Sequence, residues 1–168
     1  EKANELIKYS QFQFDKESYA IALDGDTINT DRGFLDIIDN YGSTSAGNVS
    51  NYYAGICYLN LGNYETAVDF LNDFSVKGNV LGSHKYAALG DAHSELEQMD
   101  KALSNYKKAT TTDPNEFSTP LHLLKLALFQ ENQGNTAEAK KAYAQIKDKY
   151  PNSPQATDAK KYLARLGE

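Results

Sequence analysis

The feature that most restricts this 168-residue chain is a helical hairpin between Leu81 and Pro114 whose landmarks recur along the sequence. Apolar and small residues there follow helical spacing on two stretches joined by a short polar turn. Ala88 and Gly90 in the first stretch, and Ala102 and Ala109 in the second, lack bulk where two helices must approach. Tyr86, Leu89 and Tyr106 fill the space around them, and Pro114 stops the second helix because it has no N–H to continue the ladder. The same small residues return: Gly55 precedes Gly90, and Ala67 precedes Ala102, each by 35 positions. One such hairpin cannot bury its own apolar face, so a period of this length reads as hairpins that stack.

Around this unit the chain divides into 1–47, 48–80, 81–114, 115–151 and 152–168. In 48–80, Ala54, Gly55 and Tyr58 fall on the first helix, Leu61-Gly62-Asn63 on the turn, and Tyr64, Ala67 and Leu71 on the second. In 115–151, Pro120 opens a helix, Leu123, Leu126 and Ala127 take the matching places, Gly134 marks the turn, and Ala139, Tyr143 and Pro151 complete the unit. The last segment reads as an amphipathic capping helix carrying Ala156, Ala159, Leu163 and Leu166. Residues 1–47 read as a degenerate first hairpin with an insertion in its second helix. It holds a helix from Ala3 to about Leu23 with a break near Asp15, turn residues from Asp24 to Thr30, and a helix from about Asp31 to Tyr41. Gly42 is expected to close that helix in a left-handed conformation, with 43–47 as linker. The apolar Phe12, Phe14, Phe34, Ile37 and Ile38 predict that this segment covers the exposed face of the second hairpin. The expectation is an all-α fold of seven to nine helices without a sheet: one domain, coiled as a right-handed α-α superhelix of stacked helical hairpins with a C-terminal capping helix.

A net charge of −6 and a pI near 5.1 argue against nucleic acid as a partner, since a binder would show a basic face. The charge is uneven: residues 1–47 hold four basic and nine acidic side chains, while lysines predominate after Ala139. Solvated helix faces and end-to-end electrostatic association both fit that bias. Cys57, the only cysteine, sits among apolar residues and reads as a small core residue. No run is long enough to cross a bilayer, and the start at Glu1 suggests that an upstream segment has been removed. Asp24, Asp26 and Asp36 suggest a calcium loop, but Asn29 stands where that loop needs glycine and Asp36 is out of register. The triplet Asn48-Val49-Ser50 fits a glycosylation acceptor, a pattern common by chance. His84, His93 and His122 contain no i, i+4 pair, so no zinc helix is expected. His93 and Glu97 share a helix face, where His93 reads as a packing residue. Lys101 and Lys125 read as solvated lysines. No nucleophile elbow or phosphate loop is present. The reading is therefore non-catalytic, with no cofactor and no metal.

The order Tyr86, Leu89, Gly90, His93, Ala102, Tyr106 and Pro114 resembles the tetratricopeptide repeat signature, with histidine in place of the usual aromatic at its fourth position. The resemblance extends from about Asn48 to the end. It implies a protein-interaction scaffold whose concave side is lined by the first helix of each pair. Carried over position by position, that face comprises Val49, Tyr52, Ile56 and Leu59, then His84, Ala87, Asp91 and Ser94, then Leu121, Leu124, Leu128 and Glu131, with Tyr53 and Lys125 alongside. The basic clamp of relatives that grip a chaperone's C-terminal carboxylate is absent, and the apolar lining suits a hydrophobic or amphipathic segment. These apolar residues could instead pack against the N-terminal helix and leave little groove. Residues 22–26 and 33–44 are similar to membrane-anchored tetratricopeptide proteins of Bacteroidetes-type bacteria, which resemble ancillary subunits of the Sec translocon. That implies a periplasmic domain of the cell envelope, held by an anchor upstream of Glu1 and engaged in protein translocation or assembly. The partner is a protein or peptide, its identity and the oligomeric state being open. A self-oligomerising structural module is the competing reading.

Overall fold

A computed structural model of the chain describes residues 2–26, 31–77 and 81–167. The described residues are all-α except for one two-residue ladder, and contacts group them into two compact units, 1–77 and 78–168, where the sequence reads as one domain. The first unit holds α1 (Lys2–Asp15), α2 (Tyr19–Asp24), β1 (Gly25–Asp26), β2 (Asp31–Arg32), α3 (Phe34–Tyr41), α4 (Ser45–Asn60) and α5 (Tyr64–Asp73). The second holds α6 (Gly82–Glu95), α7 (Met99–Thr111), α8 (Ser118–Asn132), α9 (Thr136–Lys149) and α10 (Gln155–Arg165). That makes ten helices among the described residues, more than the seven to nine expected, because the N-terminal segment is cut into three short ones.

The turns explain the pairing. After α4, Leu61 N–H bonds Cys57 O, Gly62 N–H bonds Leu59 O and Asn63 N–H bonds Tyr58 O. The same three bonds recur at 96–98 and 133–135, and also at 16–18 between α1 and α2. This is the six-to-one closure that ends a helix through one left-handed residue. Gly62 and Gly134 supply it at φ 79° and 76°, whereas Glu17 and Glu97 adopt it at φ 58° and 56° without glycine's freedom. The break expected near Asp15 is thus a repeat turn that carries glutamate at the left-handed position.

Several local expectations are corrected. The absence of a sheet fails at β1 and β2, which pair antiparallel with Gly25 opposite Arg32 and Asp26 opposite Asp31; residues 27–30 of the predicted turn lie outside the described residues. The ladder delays α3 to Phe34, and Ser10 ties it to α1 by donating to Arg32 O at 2.9 Å. Gly42 is right-handed (φ −54°, ψ −31°), so it does not close α3 as a left-handed cap. The boundary is made instead by Thr44, whose hydroxyl accepts from Gly47 N–H at 3.1 Å, and α4 starts inside the predicted linker. Pro120 is the third residue of α8 rather than the first, still in the turn where a missing N–H is harmless.

Each unit has its own core. In the first, Phe34 stacks on Tyr53 with centroids 5.2 Å apart, and Phe14 meets Tyr53 edge-on at 5.0 Å, so α1 and α3 cover α4. Ala22, Leu23, Ile37, Ala54 and Cys57 are buried around them. In the second, Ala102, Tyr106 and Phe129 join α7 to α8, while Leu123, Ala127, Tyr143 and Ile146 are sealed by Ala156, Ala159 and Leu163 of α10. The fold is therefore all-α, built of stacked helical hairpins and ended by a capping helix.

Candidate functional site

The residues that the repeat pattern assigns to a partner lie on the first helices α4, α6 and α8. On α4, Val49, Tyr52, Tyr53, Ile56 and Leu59 are all half-buried within the first unit. Val49 and Tyr53 pack against its core cluster, and Tyr53 meets both Phe14 and Phe34. Tyr52 leans on Phe74 and on Tyr53, both with centroids 5.5 Å away. Burial, and then Tyr53, push the Tyr52 hydroxyl up to about 12. For Tyr53 in particular the aromatic character serves packing, because the N-terminal segment supplies two rings that occupy it.

On α6 and α8 the arrangement is more polar. Asp91 Oδ1 accepts from the Tyr106 hydroxyl at 2.8 Å, and Asp91 Oδ2 accepts from Lys125 Nζ at 2.6 Å. Burial first, and Asp91 next, raise the Tyr106 phenol. Lys125 is thus paired rather than simply solvated. A second set repeats the design one unit on: Glu131 accepts from the Tyr143 hydroxyl at 3.0 Å and from Arg165. Both cations stand 34 residues after their carboxylates, so each set ties a hairpin to the helix of the next repeat. As partly exposed ion pairs they contribute about 0–1 kcal/mol each. Their larger consequence is that the charges beside α8 are already matched.

His84 lies against His122, edge-on, with centroids 5.0 Å apart. His122 is only 1% exposed, and neither ring nitrogen has a partner among the described residues. Burial is the largest cause, followed by His84 and Lys125, of a pKa lowered to about 4. Its pairing was not legible in sequence, because 38 residues separate the two rings. His93 bonds Gln98 through Nδ1 at 3.0 Å in the turn after α6.

Leu121 and Leu128 are each 37% exposed, and Leu124 is half-buried against the α8–α9–α10 core. The pattern missed Phe117, which at 89% is the most exposed large apolar side chain among the described residues. Asn115 Oδ1 accepts from Phe117 and Ser118 N–H, starting α8 and leaving the phenyl ring outside. Phe117, Leu121, Leu124 and Leu128 are spaced four, three and four residues apart, which places them on one helical stripe. Extending that spacing backwards from Leu121 is the signal that finds Phe117. Among the described residues no three His, Cys, Asp or Glu side chains converge as a metal site; Asp36 of the suggested calcium loop is engaged by Arg32 at 2.7 Å. Burial pushes the Cys57 thiol up to about 12.

Family models described as tetratricopeptide repeat match residues 50–76, 86–116 and 123–153, together just over half of the chain. The chain belongs to the tetratricopeptide repeat family. No curated protein matches it. Among solved structures, this tetratricopeptide chain is similar to MamA, residues 41 to the end, from Desulfovibrio magneticus RS-1, with a TM-score of 0.68 and 17% identity over 99% of this chain and 77% of that one. A second MamA crystal structure gives a TM-score of 0.56 and 18% identity, covering 79% of this chain and 86% of that one. At these identities the likeness concerns the fold, and tetratricopeptide repeats as a class serve as protein-interaction scaffolds.

Proposed function

We propose that this chain is a non-catalytic scaffold that receives an apolar or amphipathic segment of a protein partner along α8. The observation that carries this reading is the stripe Phe117, Leu121, Leu124 and Leu128, flanked by two carboxylates that already hold Lys125 and Arg165. A stripe with this spacing suits a helix or extended segment with matching apolar anchors, and the matched charges favour a partner uncharged at its centre. Leu121 and Leu128 make the cleaner probes, since Leu124 and Tyr52 also pack in their cores. A photoreactive residue at 117 is expected to crosslink one protein in cells, and L121S/L128S in the same chain to lose that product while keeping its melting temperature. A variant that crosslinks as before removes α8 from the binding surface. The compartment we infer is the periplasmic side of the cell envelope, with an upstream anchor and a role in translocation or assembly. Its support is the similarity of residues 22–26 and 33–44 to anchored relatives. Protease accessibility of the full-length protein in spheroplasts tests it, and protection there assigns the domain to the cytoplasm.

A further inference from the structure

The second helices of the hairpins divide sharply by charge. α5 carries Glu65, Asp69 and Asp73 at i, i+4 and i+8, all exposed, with no cation on the helix. That spacing puts three carboxylates on one face about 12 Å long. α9 carries four lysines against two acids, and α10 three cations against one. Between α9 and α10 lies a cavity of about 230 Å³ lined by Lys147, Lys160, Leu163 and Ala164. Lys160 and its neighbour Lys161 are exposed and make no ion pair among the described residues; neither do Glu65, Asp69 and Asp73.

We propose that the α9–α10 cleft is an interaction surface for the acidic face of α5 in a second copy of this chain. The cleft offers the Lys160 ammonium beside an apolar floor of Leu163 and Ala164, with Lys161 next in the chain, and can accept both the carboxylates and the methylenes of a helix carrying acids one turn apart. The chain itself supplies both halves. Its net charge of −6 disfavours long polyanions such as nucleic acid, whereas a short acidic stripe meets only the basic end. The contact joins unlike surfaces of two copies, so association through it grows with concentration. Being made by exposed charges, it is screened by salt. This surface is on α9 and the capping helix α10 and stands apart from the α8 stripe.

Sedimentation of the intact chain in about 20 mM and about 500 mM salt tests the proposal. Concentration-dependent association in the first buffer and monomer in the second is expected. K160E/K161E is expected to weaken association about tenfold or more, and E65K/D69K likewise. Each variant alone meets like charge with like, but an equimolar mixture of K160E/K161E with E65K/D69K restores opposite charges at every contact and is expected to associate again. Circular dichroism verifies that each variant stays helical. A wild-type chain that is monomeric in both buffers overturns the proposal. So does association that survives both reversals, or a mixture of folded variants that stays monomeric.

Discussion

Gly90 and Tyr106 together set how closely α6 and α7 approach. A Cβ on Gly90 would stand 2.6 Å from two carbons of the Tyr106 ring, and the ring is anchored at its far end by its hydroxyl on Asp91. Gly90→Ala is therefore expected to cost about 1–3 kcal/mol in urea unfolding. Combining it with Tyr106→Phe, which frees the ring to shift, should cost less than the sum of the two single changes. His122 carries a pH dependence. In the fold its pKa is about 4, below the ordinary 6.5, so the unfolded chain binds more protons between those values. Its contribution is intact above about pH 6.5 and is lost as pH falls towards 4. His122→Phe keeps an edge-on ring against His84 and is expected to flatten the decline of melting temperature with acid across that window. An unchanged decline would falsify the role given to His122.

Among elements, the N-terminal helices cover α4. α1 and α3 bring Phe14 and Phe34 against Tyr53, so that removing residues 1–44 strips two aromatic neighbours from a ring packed on the core. The truncated chain is expected to melt at lower temperature and to aggregate. If its melting point and solubility matched those of the intact chain, residues 1–44 would be a tether rather than a cover. The hairpin turns show what local sequence can signal. Gly62 and Gly134 are recognisable because a left-handed residue favours glycine, while Glu17 and Glu97 adopt the same geometry with no such signal. The boundary between α3 and α4 was misplaced for a related reason: a glycine after a helix signals a cap, yet the Thr44 hydroxyl made the competing start of α4 the stronger local choice.

At the scale of the whole molecule, the two compact units have separate cores, and the second contains two complete hairpins with their capping helix. Residues 81–167 alone are therefore expected to give a helical circular-dichroism spectrum and a cooperative melt. A spectrum without helix would show that their core depends on the first unit. The sequence by itself determined the all-α class, the hairpin period and the capping helix, because a recurrence of small residues at fixed spacing admits few ways to bury an apolar face. It also placed Leu121, Leu124 and Leu128 on one helix face, since that follows from helical geometry alone. What those residues touch was decided by tertiary structure. Tyr53 became core because Phe14 and Phe34 arrive from distant sequence, Lys125 was matched because Asp91 lies one repeat earlier, and His122 met His84 across two hairpins. Such contacts join residues far apart in the chain, and no local periodicity records which partner a side chain meets once the hairpins stack.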